Sequence, residues 1–180
     1  MENTRKSRLE EIADWVATKS EEKEALQSNT YWIHGLPGIG KTSLAHSICA
    51  RLHDKRQLAG AFFCRRDDPN LRQAENVLPT LIVQLAEFFP PFRRIVANHL
   101  RNDPILKPES MKPSLFLELL DILPHSPNRS LVFVIDAFDE CGDDRSRSPL
   151  LKLLTGASAR APWLKSILTS RPEADIQHFV

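Results

Sequence analysis

Two hydrophobic rhythms alternate along the chain. In residues 5–19, RKSRLEEIADWVATK, Leu9, Ile12, Ala13 and Val16 share one face at helical spacing, with charges opposite. The polar stretch SEEKEALQSN then leads into a short apolar strand, TYWIHG. After a glycine-bearing loop, TSLAHSICARLHDK spaces Leu44, Ile48 and Leu52 four apart, which predicts a helix seam. LAGAFFCRR follows as a second apolar strand and closes in the turn DDPN. Strand, loop, helix and strand in this order predict a βαβ unit.

Residues 71–127 change in character. NVLPTLIVQLAEFF, PFRRIVANHLRND and KPSLFLELLDIL are helical by pattern. Most of the prolines here sit at segment junctions, where they punctuate short helices rather than break a long one. This region predicts a helical layer over a sheet. SLVFVIDAFDEC is a continuous apolar run ending in acids, the pattern of a strand buried on both faces of a parallel sheet. A short helix over SPLLKLLTGAS and a fourth strand in WLKSILTSRPE complete the pattern. The expectation is an α/β, three-layer fold with a mostly parallel sheet.

Composition narrows the classes. At 180 residues, 42% hydrophobic and 26% charged, the chain has the make-up of one ordinary globular domain. Its net charge of +1 provides no global basic field, from which neither nucleic acid nor an anionic membrane is expected as a partner. No apolar run approaches the roughly 20 residues that span a bilayer, and the N-terminus lacks the apolar core of a secretory signal. The three cysteines, Cys49, Cys64 and Cys141, are widely spaced and form no CxxC pair. They are expected to be buried apolar residues in a reducing, cytoplasmic setting. The six histidines, His34 and His46 among them, show no ligand spacing.

The candidate chemistry starts at the loop Gly35-Leu36-Pro37-Gly38-Ile39-Gly40-Lys41-Thr42-Ser43, which fits G-x-x-x-x-G-K-[ST] in full. A loop that wraps phosphates presents successive backbone N–H groups inward, through dihedrals that glycine adopts cheaply. The following helix aims its partial positive charge at the same anion. Lys41 supplies a mobile cation for the β- and γ-phosphates, and the Thr42 hydroxyl is placed to ligate Mg²⁺. The dinucleotide fingerprint fails here, because it would need glycine at Ser43.

Asp136, at the tip of the apolar run, is the expected aspartate of the magnesium shell. Asp139 and Glu140 are candidates to polarise an attacking water. Glu140 comes first because its longer side chain reaches from the turn. Asp143 and Asp144 read as a solvated loop. Asp139 to Gly142 also spells D-x-x-G, but no N-K-x-D guanine-reading motif occurs, so ATP or ADP is favoured over GTP. Arg171 ends the fourth strand on the ligand side of a parallel sheet, where an arginine can sense a γ-phosphate. Arg65 and Arg66, at the end of the second strand, read equally as phosphate contacts or as a solvated pair.

YWIHGLPGIGKTSLA, LVFVIDAFDEC and ILTSRPE together resemble the NACHT domain of STAND-class signalling NTPases, most closely the form abundant in fungi. In that pattern Asp136 matches the magnesium aspartate, Asp139 and Glu140 the distal acid pair, and Arg171 the sensing position. The resemblance implies residues 1–28 as a linker helix preceding the core and 29–180 as the NACHT-type domain, expected to lack the last sheet strand. It also implies an NLR-like cytoplasmic switch, closed with ADP and opened by exchange for ATP, with slow Mg²⁺-dependent hydrolysis. Self-association, or association with NLR-like relatives, follows from the same resemblance. A nucleotide-binding module without turnover is the alternative, and a P-loop kinase the more distant one.

Overall fold

The computed structural model describes residues 2–18, 29–102, 112–123 and 127–179. The polar stretch 19–28, and with it part of the expected linker, lies outside the described residues. Helix α1 (Glu2–Ala17) precedes strand β1 (Thr30–His34), helix α2 (Lys41–Asp54) and strand β2 (Leu58–Phe63). Helices α3 (Val77–Phe88), α4 (Pro90–Asn102) and α5 (Pro113–Asp121) form the middle. Strand β3 (Leu131–Asp136), helix α6 (Asp144–Arg160), strand β4 (Leu164–Ser170) and helix α7 (Ala174–Phe179) follow.

The four strands are parallel, in the order β1-β4-β3-β2. Parallel neighbours need crossover connections, and the helices supply them. All residues of β3 and β4 are buried. Because side chains alternate along a strand, β3 feeds both layers. Val132 and Val134 join Ile33, Ile167, Leu44, Ile48 and the α1 face of Leu9, Ile12 and Val16. Leu131, Phe133 and Ile135 join the cluster that α3 to α7 build on the opposite side. The chain therefore has the three-layer P-loop NTPase fold.

Several boundaries differ from expectation for local reasons. Helix α6 starts at Asp144, four residues before the predicted SPLLKLLTGAS. The cause is a capping box: Ser146 N–H donates to Asp143 Oδ1 at 2.8 Å and Asp143 N–H donates to Ser146 Oγ at 2.9 Å. Asp143 and Asp144 thus form the start of a helix rather than a solvated loop, although both are exposed. Cys49 is half-buried, unlike Cys64 and Cys141. The residues after Pro172 carry α7, whose Ile176 is fully buried.

Lys165 lies in the middle of β4 and is fully buried. Its ammonium donates to the carbonyls of Trp15 (2.6 Å), Val16 (3.0 Å) and Thr18 (2.7 Å), at the C-terminal end of α1. The last carbonyls of a helix carry its partial negative charge, and a cation is favoured there. One strand lysine thus fastens α1 to the sheet.

Candidate functional site

In a parallel sheet all carboxyl ends lie on one side, and here they gather every candidate group. In register, His34 pairs with Ser170 and Phe63 with Asp136, so β1, β4, β3 and β2 end at about the same level. The glycine loop leaves β1 at that edge. Gly38 and Gly40 have φ of +80° and +89°, the left-handed region that residues with a Cβ rarely enter. An added Cβ would meet nothing within 4 Å at either position, so the requirement is conformational and the space beside the loop is open. Gly40 is the N-cap of α2 and lends no side-chain bond to the helix N–H groups.

A cavity of about 300 Å³ opens between this loop and the ends of β3 and β4. Pro37, Gly38, Gly40, Lys41, Thr42 and Ser43 line one side, and Asp139, Glu140, Thr169 and Arg171 face them. Gly35, Leu36 and Ile39 do not line it. The Leu36 and Ile39 side chains point to solvent, at 71% and 60% exposure. The Lys41 ammonium folds onto the loop and donates to the carbonyls of Gly35 (2.7 Å) and Leu36 (3.0 Å).

Asp136 is buried at 2% exposure and does not line the cavity. Its Oδ1 accepts the Thr169 hydroxyl, whose oxygen in turn accepts the Ala137 N–H at 2.9 Å. Ala137 turns the chain out of β3 in the left-handed conformation, φ +53°. For a residue with a Cβ this conformation is strained, and the Thr169 bridge holds it.

Asp139 and Glu140 are both engaged. Asp139 Oδ1 accepts the Arg171 N–H at 3.0 Å, and its Oδ2 pairs with Arg171 Nε at 3.2 Å. Glu140 Oε2 accepts the Arg66 N–H at 3.3 Å. The Arg65 side chain pairs with Asp67 on the surface, so the phosphate reading of that arginine gains no support. The turn carrying both acids is held by a residue that sequence reasoning missed. Arg147, buried on α6, donates to the Asp139 carbonyl (3.2 Å) and the Gly142 carbonyl (3.4 Å), and pairs with Asp175 of α7 at 2.9 Å. Nothing in the polar string DDRSRS marks it. Lys165 and Thr169 did leave a signal, as polar residues inside a buried strand.

Among the thiols, burial and the nearby Asp136 carboxylate push Cys49 up to about 11. Cys64 is raised by its hydrogen bond to Cys141 and by burial, and the same bond lowers Cys141. His34 packs against Trp32 with the rings tilted by 32°, and His46 stacks on Phe63. Among the described residues there is no cluster of potential metal-ligating side chains, and no helix long and apolar enough to cross a membrane.

The family model described as nephrocystin 3, N-terminal, matches residues 10–171. The chain belongs to that family. Its match runs from within α1 through the glycine loop and the acid-bearing turn to Arg171. A search of curated proteins finds no match. Among solved structures, Drosophila ORC bound to poly(dA/dT) DNA and Cdc6 superposes with a TM-score of 0.58 at 18% identity, over 98% of this chain and 26% of that one. Drosophila ORC bound to DNA gives 0.56 at 19% identity, over 96% and 26%. This family member therefore spans about a quarter of the length of the ORC chains it resembles, and the likeness is one of fold.

These comparisons correct the expectation about partners. The near-zero net charge predicts no nucleic-acid partner, and the NACHT resemblance implies copies or NLR-like relatives of this chain as partners. Proteins with this fold are nonetheless found in complexes with DNA. Net charge is an average over the whole surface and reports poorly on any one patch, so the exclusion falls and that partner assignment is withdrawn.

Proposed function

We propose that the chain binds Mg-ATP or ADP in the cavity beside the glycine loop and serves as the nucleotide-binding core of a NACHT-type switch of the STAND class. The observation that carries this reading is the convergence of the loop, Lys41, Thr42, the acid pair and Arg171 around one cavity at the carboxyl edge of the sheet. The open space beside Gly38 and Gly40 and the ammonium resting on loop carbonyls fit a phosphate group. In this proposal the loop of residues 35–43, through the N–H groups of its residues other than Pro37 and through the Lys41 ammonium, would hold phosphate; Thr42 and, on giving up its Thr169 hydroxyl partner, Asp136 would hold Mg²⁺. When bound, the metal neutralises charge on the β- and γ-phosphate oxygens. In this reading residues 29–180 form the nucleotide unit and 1–28 its linker, in a fungal, cytoplasmic, NLR-like setting.

Arg171 senses the γ-phosphate by exchanging its Asp139 partner for phosphate oxygens. That exchange frees Asp139, and with Glu140 it orients the attacking water. Differential contact with ATP and ADP then favours one arrangement of the switch over the other. Titration calorimetry with Mg-ATP, ADP and GTP, using Lys41→Ala as control, tests the reading. Adenine-nucleotide binding lost in the variant supports it, and no binding by the folded chain defeats it.

A specific observation favours the second reading, nucleotide held without useful turnover. Asp139 is tied to Arg171 through both of its oxygens, and Glu140 Oε2 is bonded to the Arg66 N–H, so both acids would have to change partners before either oriented a water. A phosphate-release assay on the nucleotide-binding chain separates the two readings.

A further inference from the structure

Strand β2 ends the sheet on one side, with β3 as its one neighbour among the described residues. Along a strand, residues that turn their N–H and C=O to one neighbour alternate with residues that turn them the other way. Cys64 faces β3, where its N–H donates to the Asp136 carbonyl at 3.0 Å. Ala61, on the opposite parity, turns both of its backbone groups outward. One side chain takes both. The Ala61 N–H donates to Gln84 Oε1 at 2.6 Å, and Gln84 Nε2 donates to the Ala61 carbonyl at 3.2 Å. A carboxamide offers the donor and acceptor of a peptide unit, so Gln84, reaching over from α3, stands where the backbone of a further strand would be. Gly60 makes the room for it. A Cβ there would lie 2.8 Å from Gln84 Oε1 and 3.3 Å from Gln84 Cβ. Gly60 is not in the left-handed region, so the demand is for space.

We infer that Gln84 is an autoinhibitory guard on the β2 edge: in place it closes the edge to strand addition, and swung out it opens the edge to the β2 strand of a second copy. An unpaired edge is a template for another chain. Of the usual deterrents, the strand LAGAFF has no charged side chain and no proline. Its register shift against β3 falls between Leu58 and Gly60, before Ala61. The rest of the strand is regular, and the amide is what covers it. Gln84 is half-buried between exposed Val83 and exposed Glu87 on α3, so its side chain has solvent to swing into. A second copy is the occupant because the strand presents no charge to repel its own kind. Two-fold pairing of identical edges also uses each β2 edge once and stops at a dimer. The guard is independent of what the cavity beside the glycine loop binds.

The test compares the full chain with Gln84→Ala, without nucleotide, by amide exchange in nuclear magnetic resonance over a range of protein concentrations. Alanine suits the helix, so α3 persists in the variant, and circular dichroism checks this. In the parent chain the Ala61 amide exchanges slowly at every concentration. In dilute Gln84→Ala it exchanges faster, by about fivefold for one hydrogen bond of ordinary strength. It slows again as concentration rises, while sedimentation shows a dimer. Isotope-filtered contacts between labelled and unlabelled copies then fall on residues 60–63. Adding Ala61→Pro to Gln84→Ala removes the outward N–H while leaving the bonds of β2 to β3, and this double variant stays monomeric. An Ala61 amide as slow in Gln84→Ala as in the parent overturns the guard. Faster exchange that ignores concentration overturns the opening to a second copy, as does a dimer that survives Ala61→Pro.

Discussion

Asp139 and Arg171 hold each other through two contacts, a backbone N–H to Oδ1 at 3.0 Å and Nε to Oδ2 at 3.2 Å. The asymmetry of the pair matters, because the Asp139 side chain is 5% exposed while that of Arg171 is 43% exposed. The carboxylate depends on the arginine, whereas the arginine has water as an alternative. An exposed cation that faces the cavity and already rests on an acid is placed to change partners when an anion arrives.

Arg171→Ala therefore acts on two quantities. It leaves a buried carboxylate with one partner fewer, and half of the lost pair was already screened by water, so the stability cost is about 1–2 kcal/mol. Urea unfolding measures this. Under the proposed function, the variant binds ATP more weakly and ADP about as before. Equal weakening for both nucleotides would remove Arg171 from γ-phosphate sensing.

Lys41→Ala tests the loop itself. Among the described residues its ammonium hydrogen-bonds to the two loop carbonyls alone, so the folded chain loses little when the side chain is cut back. A charge-assisted bond to phosphate is worth about 1.5–3 kcal/mol, so nucleotide affinity falls roughly ten- to a hundredfold. Thermal unfolding without nucleotide stays close to that of the parent chain, and the stabilisation that nucleotide gives is lost.

The glycine loop, the buried β3 and the acids at its end were legible because each is local. A phosphate loop is spelled within nine residues, and a strand buried on both faces is one apolar run. What was not legible depends on contacts between distant residues. Thr169 reaches Asp136 from another strand, Arg171 comes to Asp139 from the end of β4, and Arg147 reaches back to the acid turn from α6. The acids at 143 and 144 misled because capping and solvation use the same residue types, and only the Ser146 pairing tells them apart. Net charge misled about partners because it carries no information on where charge lies.

The fastening of α1 gives a third prediction. Lys165→Met keeps the length of the side chain but leaves three carbonyls at the C-terminal end of α1, Trp15, Val16 and the following Thr18, without their cation. The loss of charge-assisted bonds to buried acceptors costs about 2–3 kcal/mol. Hydrogen exchange then rises selectively across α1, while β3 amides slow to exchange in the parent chain remain protected. Uniform loss of protection would instead mean that α1 and the sheet unfold as one unit.

Tyr31 offers a test of the same contact from the sheet side. Its hydroxyl donates to Glu11 Oε1 of α1 at 2.6 Å, and its ring packs edge-on against Trp15 at 5.3 Å. Burial first, then the bond to Glu11 and its negative charge, push the phenol up to about 12 from an ordinary value of 10.0. The neutral phenol is the form that the fold favours. The contribution to stability is therefore complete below pH 10 and disappears as pH rises from 10 to about 12. The chain has a single tyrosine, so alkaline absorbance of tyrosinate reads this group alone. The folded chain titrates near 12, the urea-unfolded chain near 10, and Glu11→Gln falls between them. A folded-state midpoint at 10 would mean that α1 does not rest on β1 through this pair.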